Sequence, residues 1–320
     1  MSTKIPPGAV APLFHTPPEM SYPDLSPQLL ARVKQLWSAR GLDFDSHWRA
    51  GIRTLSGFRA VPRLDAATDS ATVDLVFLFD QALLWVRALQ AAAAEGHAAG
   101  LEGMSAAQWH GLAGVTARLS EQMTALRLLA LTELPLPAMQ IARSLSEDVD
   151  MALVLLIRPK LAQRFSECRT AEDTNEFWRR HIAGGRAFRA ISEKLYSAGI
   201  DHSADTEYAK WRKSVLAVLS TAVHSNLLHA PSPEPRQGKT LLNDDSLYFA
   251  TFRIHELCAY AQLVMPELTG LLRQTGARAP GTPGTFAPLA APLSAILIDQ
   301  IQSLTAPASE ARAQEQARRH

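Results

Sequence analysis

Val73-Asp74-Leu75-Val76-Phe77-Leu78-Phe79-Asp80-Gln81-Ala82-Leu83-Leu84-Trp85-Val86 is the stretch whose residues decide the fold class. Placed on a 100° wheel, its apolar side chains cover nearly every side, as in a helix buried at the centre of a larger assembly. The spacing predicts a helix from about Asp69 to Glu95. Asp80 falls within an apolar face of it, between Val73, Phe77 and Leu84.

Outward from this helix the signals stay helical. Gly100 and Gly103 mark a turn, Ser105 caps a helix to about Glu133, and Pro135 and Pro137 separate it from the next, Ala138 to Ile157. On the N-terminal side, Ser26-Pro27 is an N-cap and first-turn pair opening a helix to about Arg40, where Gly41 stops it. A second helix covers Ser46 to Ala60. Beyond Pro159 the pattern predicts a short helix, one from Thr170 to Ala198 interrupted by Gly184-Gly185, and one from Thr206 to His229. A loop with Pro231, Pro233, Pro235 and Gly238 leads to a helix from Asn243 to about Gln274, with a kink at Pro266. Short connections make successive helices antiparallel neighbours. No segment alternates as a strand would, and no repeat of fixed period occurs.

The expected fold class is therefore all-α, a multi-helix bundle with long antiparallel helices and a Pro-rich N-terminal arm. Residues 1–23 read as that extended arm and 24–274 as one helical domain with its core at about 69–274. Residues 275–306 read as a Pro/Gly linker with a short helix, and 307–320 as a polar tail. The arm lacks the apolar run of a signal peptide. Residues 279–298 carry no charge, but Pro280, Pro283, Pro288 and Pro292 break them too often for a continuous membrane helix.

Composition narrows the partners. With 47% apolar residues the 320-residue chain has ample material for a core, and a formal charge of +1 announces no polyanion partner, so any such site must be local. Cys168 and Cys258, the two cysteines, stand 90 positions apart, which fits no disulfide scaffold or zinc ribbon and reads as two small core residues. The sequence carries no Glu-x-x-His, His-Glu-x-x-His, Walker loop, Gly-x-Ser-x-Gly or dinucleotide fingerprint. No cofactor and no metal are expected, no membrane partner is expected, and the location read from the sequence is cytoplasmic.

What remains is a set of ionisable residues in apolar helices, where an unpaired charge would cost several kcal/mol. Arg143, Glu147 and Asp150 share one 60° arc of their helix. Arg253 and Glu256 share a face with Phe249 and Tyr260. These residues read either as internal salt bridges that fix helix register or as the walls of a polar pocket for a small ligand. In the run His224-Ser225-Asn226-Leu227-Leu228-His229 the two histidines lie on different faces, which argues against a joint metal site. Each is either a hydrogen-bonded structural residue or a proton-transfer or anion-contacting group. A basic stripe, Arg179, Arg186 and Arg189, with Lys210, Arg212 and Lys213 nearby, reads either as a solvated face or as an anion site.

Two stretches resemble known patterns. Arg143-Ser144-Leu145-Ser146-Glu147 and Leu219-Ser220-Thr221-Ala222-Val223-His224 resemble the Arg-x-x-x-Glu and Leu-Ser-x-x-x-His helices of a group of uncharacterised bacterial all-α proteins. More distantly, the chain resembles the HEPN superfamily, helical domains of toxin and defence systems, whose Arg-x4–6-His motif implies a metal-independent ribonuclease. Here His224 stands where that motif has its arginine.

Three functions follow as expectations. One is a ligand-sensing or interaction module, in a stress or defence context, with an internal cluster of Arg143, Glu147, His224, Arg253 and Glu256. Another is a HEPN-like ribonuclease using His224 or His229 with Arg253 or Arg212. The third is an anion or nucleic-acid-binding assembly module using Arg179, Arg186 and Arg189. The sequence names no partner; RNA or another anion and a second copy of the chain are the partners compatible with these readings.

Overall fold

The computed structural model describes residue 22 and residues 25–52, 70–132, 134–223, 241–278 and 286–301. Among them every regular element is a helix. In chain order these are α1 (Pro27–Ser38), α2 (Phe44–Ile52), α3 (Ser70–Ala98), α4 (Ala106–Leu131), α5 (Pro135–Ile157), α6 (Pro159–Glu167), α7 (Ala171–His181), α8 (Arg186–Tyr196), α9 (Glu207–Thr221), α10 (Leu241–Val264) and α11 (Leu268–Arg278). A last helix, α12 (Ala287–Ile301), opens with a 3₁₀ turn over Ala287–Leu289.

Four long helices make the centre. α3 packs on α4, α4 on α5, α5 on α10, and α10 back on α3, closing a ring. α3 is apolar enough to cross a membrane by length and composition, but here it is mostly buried within the fold. Val73, Phe77, Leu84, Trp85 and Leu89 are each less than 2% exposed. Its outer side is covered by α11 and by the 3₁₀ turn of α12, and the Trp85 Nε1 donates to the Ser294 hydroxyl at 2.8 Å. The short helices sit outside the ring: α6 on α4 and α5, α8 on α5 and α10, α9 on α5, and α7 on α8.

Local chemistry sets the helix ends. Ser105 caps α4 in a capping box with Gln108, and Thr170 caps α7 in a similar box with Asp173. α5 starts at Pro135, three residues before the expected Ala138, because the first-turn N–H groups have no partner within the helix and proline loses nothing there. At Pro266 the expected kink is a full break: α10 stops at Val264 and α11 begins at Leu268. The proline cannot donate into the helix ladder, and its ring crowds the carbonyl four residues back. Gly184 and Gly185 likewise end one helix and start another. Their φ of +64° and +76° turn the chain between α7 and α8, a conformation that glycine adopts without a steric penalty.

Gly270 and Gly276 of α11 offer a matched test of this packing. A Cβ at Gly276 would lie 2.9 Å from the Pro288 backbone, whereas at Gly270 nothing lies within 4 Å. Gly276→Ala should lower stability by about 1–3 kcal/mol through overpacking. Gly270→Ala should leave it unchanged or raise it by up to about 1 kcal/mol through helix propensity. Urea titrations followed by circular dichroism would separate the two, and equal effects would contradict the close approach of α11 to α12.

Candidate functional site

Asp80 enters the interior from the middle of α3. Arg127 of α4 grips its carboxylate with two nitrogens, Nε to Oδ1 at 2.7 Å and Nη2 to Oδ2 at 2.9 Å, and the Tyr22 hydroxyl donates to Oδ2 at 2.6 Å. All three residues are buried. Burial alone would discourage the Arg127 charge, but the charge and hydrogen bonds of Asp80 outweigh it and hold the guanidinium protonated. Burial and then the Asp80 charge push the Tyr22 hydroxyl well above its ordinary value, so it stays neutral. One cation and one anion cancel, and a two-pronged arginine contact ties α3 to α4.

A larger network joins α5, α9 and α10. Asp150 of α5 gives one oxygen to Arg253 Nη2, at 2.5 Å, and the other to Arg212 Nη2. The second Arg253 nitrogen pairs with Glu256 on its own helix and reaches the Tyr208 oxygen at 3.2 Å. Tyr260 donates to Glu256 Oε1 at 3.3 Å, and His202 Nε2 lies 2.7 Å from the Tyr260 oxygen. With the Tyr260 proton directed at Glu256, His202 is the donor. The His202 ring stacks on Tyr208 with centroids 4.1 Å apart, and the Arg212 guanidinium lies 3.9 Å above the Phe188 ring. Burial draws His202 below its ordinary value, and burial followed by the Glu256 charge pushes both tyrosines up. The histidine and tyrosines are therefore neutral near pH 7, and two arginines face two acids.

Arg253 and Glu256 thus come together, in company with Asp150. Arg143 and Glu147 form a separate i,i+4 pair at 3.4 Å, each about one-third exposed. Arg143 also reaches across to α9, meeting the Ser220 hydroxyl and, at 3.3 Å, the Leu216 carbonyl. Burial is the main reason that the Glu147 carboxyl sits above its ordinary value. His224 and His229 lie outside the described residues. Sequence reasoning had no hold on Tyr22, Arg127, His202 or Tyr208. Arg127 did carry a usable signal, a charge set between Leu126 and Leu128, the same kind of signal that singled out Asp80.

A third polar cluster lies between α3, α10 and α12. Gln81 Oε1 accepts from Gln300 Nε2 at 3.0 Å and from Trp37 Nε1 at 3.4 Å. His255, fully buried, donates from Nδ1 to the Thr251 carbonyl at 2.8 Å. Burial pushes its imidazole down to about 4. Cys258, on the same helix, is buried against the Ser294 carbonyl, and burial pushes its thiol up. Cys168 is partly exposed at the end of α6. Among the described residues no three His, Cys, Asp or Glu side chains gather as a metal group would require.

The described cavities lie elsewhere, on the outer face of α6 and α7. A groove of about 540 Å³ is lined by Arg158, Pro159, Lys160, Leu161, Arg164 and His181. A neighbouring hollow of about 400 Å³ shares Arg164 and His181 and adds Phe177, Arg180 and three acids. Those acids are engaged: Glu167 accepts from the Gln163 amide at 2.9 Å, Asp173 caps α7, and Glu176 pairs with Arg180. No residue of the two buried ionic networks lines either cavity. Among the described residues Arg158, Lys160 and Arg164 have no acid within ion-pair distance. Of the stripe, Arg179 and Arg189 are exposed, while Arg186 donates to the Arg179 and Ala183 carbonyls, both at 2.9 Å, and caps the end of α7.

Two measurements test these clusters. Arg127→Met should cost about 3–5 kcal/mol because it strands the buried Asp80 charge, and adding Asp80→Leu should recover most of that loss. If the double variant were less stable than the single, the charge would not be what makes Arg127 necessary. For His255 the folded imidazole stays neutral while the unfolded one takes a proton near pH 6.5. Its contribution to stability is therefore intact above pH 6.5 and lost as the pH falls towards 4, by up to about 3 kcal/mol. Asp148, which burial holds at about 6 against Arg118, acts in the opposite sense over the same window. Comparing wild type with His255→Asn isolates the histidine: the variant should lose less stability between pH 6.5 and 4.5 in urea titrations.

Compared with protein-family models, with curated proteins and with solved structures, the chain matches none.

Proposed function

We propose that this protein is a non-catalytic helical binding module that takes a phosphate-bearing polyanion, RNA being the natural choice, on the face formed by α6, α7 and α8. The observation that carries this reading is the contrast between the two populations of cations. Inside the bundle Arg127, Arg212 and Arg253 are each committed to a buried carboxylate. On the α6–α7 face Arg158, Lys160 and Arg164 line a concave groove and have no acidic partner among the described residues.

Buried cations of the first kind serve the fold. Arg253 is only 1% exposed and Arg212 is 8% exposed, so neither can reach a substrate phosphate without breaking its bond to Asp150. That takes support from the ribonuclease alternative, which needs one of them to stabilise developing charge. Exposed cations of the second kind give affinity by releasing counterions from the polyanion, which makes binding steeply salt-dependent. Arg179 of α7 and Arg189 of α8 are exposed but line neither hollow.

Fluorescence anisotropy with a labelled single-stranded RNA of about 20 nucleotides tests this. The logarithm of affinity should fall against the logarithm of salt with a slope of about −2 to −3, the value for three or four phosphate contacts. Arg158→Glu/Arg164→Glu should weaken binding at least about tenfold at 100 mM salt and flatten that slope, with little change in thermal stability. Salt-insensitive binding, or equal affinity in the variant, would overturn the proposal.

A further inference from the structure

We infer that the Arg158–Lys160–Arg164–His181 groove is a seat for a dianionic phosphate group, the terminal phosphate of a phosphomonoester, and that His181 takes up a proton as the group enters. The seat depends on the α6–α8 face being an anion-binding surface, as proposed above, and it adds the chemical class of the ligand and a pH control.

Charge and shape favour a terminal phosphate over a backbone one. A phosphodiester carries a single negative charge, whereas a phosphomonoester carries about −1.5 to −2 near pH 7. Three permanent cations converge on one concavity: Arg158 at the junction of α5 and α6, and Lys160 and Arg164 on α6. About 540 Å³ is the size of a small-molecule site, enough for a phosphate and the sugar or base attached to it. A flat face serving only a polymer backbone would need no such hollow.

His181 completes the wall from the last turn of α7. Its ring leans on Phe177, with centroids 5.0 Å apart, which fixes its place at the boundary between the two hollows. The charged groups around it are positive in sum. Arg158, Lys160 and Arg164 come from the α5–α6 junction and α6, Arg180 from α7, and Arg186 from α8. The acids nearby are Glu167, Asp173 and Glu176, and each already has a partner. Partial burial and the neighbouring arginines hold the imidazole below its ordinary value, so it is neutral in the empty groove at pH 7. A dianion offsets that positive field and so favours the imidazolium. By linkage, a ligand that stays dianionic must then bind more tightly as the pH falls.

Isothermal titration calorimetry on the full chain tests both parts. Three phosphate probes identify the ligand class: adenosine 5′-monophosphate, a 5′-phosphorylated RNA pentamer, and the same pentamer with a 5′-hydroxyl. Either phosphorylated probe should bind at least about tenfold more tightly than the hydroxyl pentamer, since only the former offers a dianion. Binding by the mononucleotide alone would mark a free phosphate ester as the source, and a preference for the phosphorylated pentamer would mark an RNA end. Equal binding of the two pentamers, with the mononucleotide no tighter than either, would overturn the seat while leaving a polyanion surface intact. If none of the three bound, both proposals would fall.

Sulfate, a dianion throughout pH 5.5–7.5, isolates the protein's own proton. Its affinity should rise about five- to tenfold from pH 7.5 to 6.0, with uptake of up to one proton measured across buffers of different ionisation enthalpy. His181→Asn should bind sulfate with no proton uptake and a flat pH profile. Undiminished uptake in that variant would remove His181 from the site.

Discussion

A carboxylate held by two guanidinium groups in the interior of a helical bundle constrains everything packed around it. Asp150 lies where α5, α9 and α10 meet, and each of its oxygens belongs to a different arginine. Taking such charges out of water costs several kcal/mol apiece, and only tight pairing with hydrogen bonds offsets that cost. Sliding one helix by a turn, about 5.4 Å, would strand a charge. Glu256, Tyr208 and Tyr260 add further partners, so the network fixes the relative register of three helices. Asp80 does the same for α3 and α4 with a single arginine and a tyrosine supplied by the chain ahead of α1.

Dispersion and apolar burial hold the ring of long helices together, but such contacts are permissive about register. α3 is the extreme case, since its apolar side chains offer no preferred face for a neighbour. The neutral ionic clusters supply the discrimination that its apolar surface lacks. They also consume the arginines that enter the core, so cations available for recognition must lie on the short outer helices. α6, α7 and α8 are built for that position. α6 and α8 bury only a few small or aliphatic residues each, α7 buries Phe177, and the two glycines between α7 and α8 fold the chain back sharply enough for Arg186 to cap α7.

Much of this was legible in the order of residues. Helix class, most boundaries and the caps at Ser26 and Ser105 follow from spacing and from local hydrogen bonding, which act over a few residues. The same local signals singled out Asp80, Arg143, Glu147, Arg253 and Glu256 as charges in apolar surroundings, where they had to find partners. Pro266 and Gly184-Gly185 were legible as interruptions. Whether each would bend a helix or end it depends on what the following segment packs against.

Partner choice and cavity shape are long-range properties, and only the tertiary structure decided them. Asp80 finds Arg127 across 47 positions, and Asp150 finds Arg253 across 103, separations over which no local pattern operates. The groove is of the same kind. Sequence drew attention to Arg179, Arg186 and Arg189 because they recur along one stretch, whereas Arg158, Lys160 and Arg164 meet His181 only because α7 folds back beside α6. The sequence by itself determined that this chain folds as helices around an apolar centre with charges that had to be neutralised inside it. The tertiary structure decided which charges neutralise one another and which are left facing solvent, because that depends on how close two helices come in space.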